Sequence, residues 1–187
     1  MTNKFIGLLA AAASALMPAA AMADGLELQR YPEHYKLWRE LEKAGIEMVI
    51  NDPIMCGEDA HGLYGWNGDA GFAVLIVCQD NGVPGGLEVS WTANDLDTLR
   101  HEAHHVVQDC LVGTFGDGKF SLLFDTPEKM DSFLEMSGAS YSDVQKIFRT
   151  YSDQSKEVQW REVEAFWVAR GVSADAIADA VRNQCRN

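Results

Sequence analysis

Residues 98 to 110 read Thr-Leu-Arg-His-Glu-Ala-His-His-Val-Val-Gln-Asp-Cys and set three histidines and an acid within five positions. Within them, His101-Glu102-x-x-His105 is the spacing at which two imidazoles, one helical turn apart, can bind a single zinc ion. Glu102 stands beside them as a general base, placed to take a proton from a water that the metal has acidified. That chemistry requires a helix, and the flanking residues supply one. Thr92 and Asn94 are N-terminal caps, Asp95 and Asp97 suit a first turn, and the helix can run to about residue 111 before Gly113. Leu96, Leu99, Ala103, Val106 and Cys110 form one apolar stripe, with His101 and His105 on the opposite side. His104 is turned away from both and takes a surface or supporting position.

A zinc site that performs chemistry keeps three protein ligands and one open position, so a third ligand must come from downstream. The extended pattern with Gly at 108 and His at 111 is excluded, because Gln108 and Leu111 stand there, and the chain is not a metzincin. Carboxylates are next. In Arg161-Glu162-Val163-Glu164-Ala165-Phe166, Glu162 shares a helix side with Val158, Ala165, Phe166 and Ala169, whereas Glu164 falls beside Glu157 and Arg161. A carboxylate on an apolar face needs a partner, and a metal is one, which favours Glu162 over Glu164. Gly113-Thr114-Phe115-Gly116-Asp117 offers Asp117 as a further alternative, since it is similar, with one extra residue, to the Gly-Thr-x-Asp motif of aspzincins. Tyr141, Tyr151 and His104 are the available donor types for a developing oxyanion, and their spacing does not rank them.

The elements that must position these groups follow from periodicity and turn signals. A first helix spans about 32 to 44, with Pro32 at its start, and 46 to 50 reads as a strand. The segment from Gly62 to Trp66, then Asn67-Gly68, then Phe72 to Cys78 reads as a hairpin, and Leu87 to Trp91 as a further short strand. Helices are then expected from Pro127, from Ser142, over about 155 to 170, and after Ser173. Strands first and helices after make this an α+β chain with a small N-terminal antiparallel sheet.

The 187 residues carry 15 Lys+Arg against 28 Asp+Glu, a formal charge of -13, which leaves no basic surface for nucleic acid or anionic lipid. Residues 1 to 23 have the form of a signal peptide: Lys4, an apolar run from Phe5 to Met17, and Ala21-Met22-Ala23 before Asp24. The run is too short to span a membrane, so residues 24 to 187 are expected to form a single exported domain, periplasmic or secreted, without membrane insertion. Four cysteines in an oxidising compartment imply two disulfides. Cys56–Cys78 and Cys110–Cys185 are the favoured pairs: the first brackets one hairpin, and the second ties the C-terminus to a helix end. No Cys-x-x-Cys pair suggests a four-cysteine zinc site.

Together, the leader, the apolar strand 72 to 78, the His-Glu-x-x-His helix and the later Glu162-x-Glu164-Ala165 segment resemble small zincin metallopeptidases of the gluzincin type. In the similar Glu-x-x-Ala helices of such peptidases the first Glu is the ligand, which maps to Glu162. Phe166 departs from the Asp or Asn that often follows the Ala there. The resemblance implies a zincin-like fold, a Zn2+ cofactor on His101, His105 and Glu162, and a peptide or protein substrate hydrolysed with Glu102 as general base. It also implies a strand near the cleft that binds substrate backbone. The alternative is a zincin-fold binding module that holds zinc or recognises a protein partner without cleaving it.

Overall fold

A computed structural model describes residues 27–57, 60–67, 72–112 and 119–185. The leader at 1 to 23, the hairpin's Gly68 and the candidate ligand Asp117 lie outside the described residues. After a 3-10 turn at Leu28–Arg30 come helix α1 (Pro32–Lys43) and strands β1 (Ile46–Ile50), β2 (Gly62–Asn67) and β3 (Phe72–Val77). Five further helices follow: α2 (Ala93–Cys110), α3 (Pro127–Met136), α4 (Tyr141–Thr150), α5 (Lys156–Gly171) and α6 (Ala174–Gln184). The architecture is α+β, with one three-stranded sheet and a mainly helical second half.

The sheet has the order β1-β3-β2. β2 and β3 pair antiparallel with Gly62 opposite Val77, as a hairpin should, but β1 runs parallel to β3 with Ile46 opposite Ala73. The sheet is therefore mixed rather than antiparallel. β1 ends and β2 begins at the same end of the sheet, on either side of Val77, so β2 runs back against β1 and the antiparallel hairpin leaves β3 parallel to β1. Leu87 to Trp91 does not form a strand. Its backbone is instead held by the Gln79 side chain, whose Nε2 donates to the Val89 carbonyl at 2.8 Å and whose Oε1 accepts from Val89 N at 2.8 Å. One amide side chain thus does locally what a neighbouring strand would have done.

α2 is the central helix. Thr92 caps it: its hydroxyl accepts from Asp95 N, while Asp95 accepts from Thr92 N at 2.8 Å, a reciprocal capping box. Leu99, Ala103, Val106 and Val107 are fully or almost fully buried in a core shared with the sheet, α1, α5 and α6. α4 starts one residue earlier than Ser142, because Ser140 takes the extended cap conformation and accepts from Asp143 N. Cys56–Cys78 and Cys110–Cys185 are both disulfide-bonded, the second joining the last turn of α2 to the residue after α6. No described helix is long and apolar enough to cross a membrane.

Candidate metal centre

His101 and His105 stand one turn apart on α2, and their Nε2 atoms approach to 3.1 Å. Glu162, on α5, closes the triangle. One carboxylate oxygen lies 3.3 Å from His101 Nε2 and the other 3.5 Å from His105 Nε2. Zinc with bonds of about 2.0–2.1 Å holds its ligand atoms about 3.3 Å apart, and each imidazole finds a Glu162 oxygen near that distance, with one donor atom from each residue within 4.8 Å of the other two. Among the described residues these three form the one group of histidine, cysteine or acid side chains with the spacing to hold a metal ion.

The electrostatics favour a cation at the point where the three donors converge. Burial opposes ionisation of Glu162, but the two imidazoles outweigh it and hold its carboxyl well below the usual carboxylate range. Burial likewise opposes charge on His105. Glu162 overrides it, and the His105 pKa is pushed up to about 9. On the far side of that ring, His105 Nδ1 lies 2.7 Å from Gln108 Oε1. An amide oxygen only accepts, so Nδ1 carries the hydrogen and the neutral ring presents a lone pair at Nε2.

Glu102 is buried between α2 and β2, and burial raises its pKa against the opposing effect of the two imidazoles, which makes it a readier proton acceptor than an exposed carboxylate. The Tyr64 backbone N–H on β2 also favours its ionised form. β2 comes this close because residue 62 is glycine: a Cβ there would stand 2.6 Å from Thr98 Cγ2 and 3.0 Å from both Cγ and Oε1 of Glu102. Gly62→Ala is accordingly expected to displace the Glu102 carboxylate and lower any turnover that depends on it by about tenfold or more. Zinc content should be unchanged; kcat/KM measured beside metal analysis checks this.

A cleft of about 320 Å³ opens over these groups, between Ala60 to Gly62, one face of α2, and the second half of α5, with Tyr151 also in its wall. Burial, together with the nearby Glu162 carboxylate, raises the pKa of the Tyr151 hydroxyl. Of the three candidate oxyanion donors, Tyr151 alone lines this cleft. Tyr141 is 80% exposed, and His104 is buried elsewhere.

The sequence-based placement of Glu164 on a polar side needs correction, as does a surface position for His104. Glu164 is completely buried and its carboxylate lies 2.7 Å from His104 Nε2. It also accepts from Gln108 Nε2 at 2.9 Å and from the backbone N–H groups of Leu123 and Phe124 at 3.1 and 2.9 Å. Glu164 is therefore not beside the imidazoles of 101 and 105, but it holds the glutamine that orients one of them. Gln108 was missed from the sequence. Its one signal is position, three residues after His105 on the same helix.

No family model, curated protein or solved structure matches the chain.

Proposed function

We propose that the protein is an exported zinc-dependent peptidase with a zincin-like fold. The observation that carries this reading is the convergence of His101, His105 and Glu162, whose donor atoms lie within 4.8 Å of one another, with Glu102 beside them in the lining of an open cleft. Zinc held by those three side chains would polarise a peptide carbonyl and acidify a water. Glu102 takes the water proton and returns it to the amine as the carbon–nitrogen bond breaks. Tyr151, at the cleft wall near Glu162, can turn its hydroxyl towards the negative charge that develops on the carbonyl oxygen. The edge strand β2, whose Gly62 borders the cleft, is the surface against which an extended substrate would lie. Two disulfides are compatible with export directed by residues 1 to 23.

The test is digestion of a mixed synthetic peptide library by the zinc-loaded chain, repeated after chelation and after zinc is restored. Cleavage that disappears with the chelator and returns with zinc is the expected result. One zinc per chain with no cleavage would instead favour a binding module. The reading also assigns Gln108 a measurable role in orienting His105. Gln108→Met, similar in size but without the acceptor, is expected to weaken zinc affinity about 10- to 100-fold, as read by competition with a chromophoric chelator.

A further inference from the structure

The second half of α5 adds a cation to the cleft. Arg170 is exposed and lines it, with its guanidinium 4.0 Å from the centre of the Phe166 ring and 5.9 Å from that of Trp167. That stacking fixes the plane of the group while leaving its N–H edges free. No described carboxylate forms a salt bridge with Arg170 and no described group accepts a hydrogen bond from it. The nearby Asp143 is bonded to Lys146 at 2.9 Å.

A described acid lining the cleft on α2 is already paired. Asp97 is paired with Arg100, which also donates to the Ala169 carbonyl at 2.5 Å and to His34 Nε2 at 2.9 Å. Asp97 and Arg100 pair with each other, so among the described residues Arg170 is the cleft-lining cation without an ion-pair partner, in a chain whose formal charge is -13.

We infer that Arg170 recognises a carboxylate on the substrate, two or three residues from the bond that is cut. This deepens the peptidase reading and rests on it. The distance comes from helix geometry. Arg170 lies eight residues beyond Glu162, about 12 Å along the axis, and its side chain leans back over Phe166 to about 6 Å. An extended peptide advances about 3.3 Å per residue, so a guanidinium offset of about 6 to 10 Å corresponds to two or three residues. A fork of guanidinium N–H groups at a partly exposed site binds a carboxylate in preference to its amide by about tenfold.

Two sources of carboxylate are possible, an internal Asp or Glu and a peptide C-terminus, and separate arms distinguish them. The wild-type chain, zinc-loaded, digests decapeptides with amidated ends that carry Asp or Glu, or else Asn or Gln, at each position. A second set is neutral, with free or amidated C-termini. Enrichment of acid over amide by about tenfold at the second or third residue from the cut is expected, or the same ratio for free over amidated ends. In Arg170→Gln this ratio should fall to about one, and in Arg170→Glu it should fall below one.

Binding of the same peptides, fluorescently labelled, to zinc-loaded Glu102→Gln with and without Arg170→Gln is read in parallel by anisotropy. This arm reports recognition even where nothing is cut, so a failed peptidase reading is visible as binding without turnover. A ratio near one in the wild type, a preference that survives Arg170→Gln, or no peptide binding at millimolar concentration each overturns the inference.

Discussion

Glu102→Gln is expected to reduce peptide hydrolysis by about 10²- to 10⁴-fold while the chain still binds one zinc. The substitution is nearly isosteric, so the side chain can keep its buried place between α2 and β2. His101, His105 and Glu162 are untouched, so metal content should not change. Stability should be equal or slightly higher, because a buried group that resists ionisation has been replaced by a neutral one. Loss of turnover with zinc and melting temperature retained would identify Glu102 as the group that moves the proton. Activity within about threefold of wild type would remove it from the mechanism.

The second large effect concerns stability. Glu164 is completely buried, and its carboxylate accepts from His104, Gln108 and two consecutive backbone N–H groups of the segment before α3. Burial opposes its ionisation, but the hydrogen bond and charge of His104 outweigh it and lower its pKa, while burial keeps His104 below its own ordinary value. Glu164→Ala leaves an imidazole N–H, an amide and two peptide N–H groups without their acceptor in a dry interior. Breaking a buried pair of this kind costs about 3–5 kcal/mol, and in a chain of this size each kcal/mol lowers Tm by about 2–4 °C. Thermal unfolding of the metal-free protein, followed by circular dichroism, should therefore show a fall of about 6–20 °C. Glu164→Gln keeps one acceptor oxygen and should fall less. A shift below about 2 °C for Glu164→Ala would mean that the network is not a stabilising element.

The contrast between Glu162 and Glu164 shows what was legible in the sequence. Glu162 stood out because a carboxylate among Val158, Phe166 and Ala169 needs a partner, and the structure brings it to His101 and His105. Glu164 was misplaced by the same reasoning. Helical periodicity registers apolar neighbours, but α5 is also covered on its polar side, by the Leu123-Phe124 backbone and by His104 and Gln108 of α2. Buried polar groups that satisfy one another look like surface to a periodicity argument.

The sheet repeats the lesson. The β2–β3 hairpin was legible from an Asn-Gly pair between two apolar runs, and both disulfide pairs from where they would fall. The parallel partnership of β1 depends on how the chain crosses between 51 and 61, and the supported but unpaired 87 to 91 segment depends on Gln79. Neither has a local pattern. Gly62 likewise reads as an ordinary strand glycine until Glu102 is placed against it.

The most direct test of the account is zinc itself. Purified protein, refolded with its disulfides intact and dialysed against excess zinc and then buffer, is analysed for metal, and the zinc K-edge absorption spectrum is recorded. The account predicts one zinc per chain, with nitrogen and oxygen neighbours at about 2.0–2.1 Å, and loss of that zinc in His105→Ala and Glu162→Ala. No bound zinc, sulfur in its first coordination sphere, or full occupancy after both histidines of the centre are replaced by alanine would contradict it.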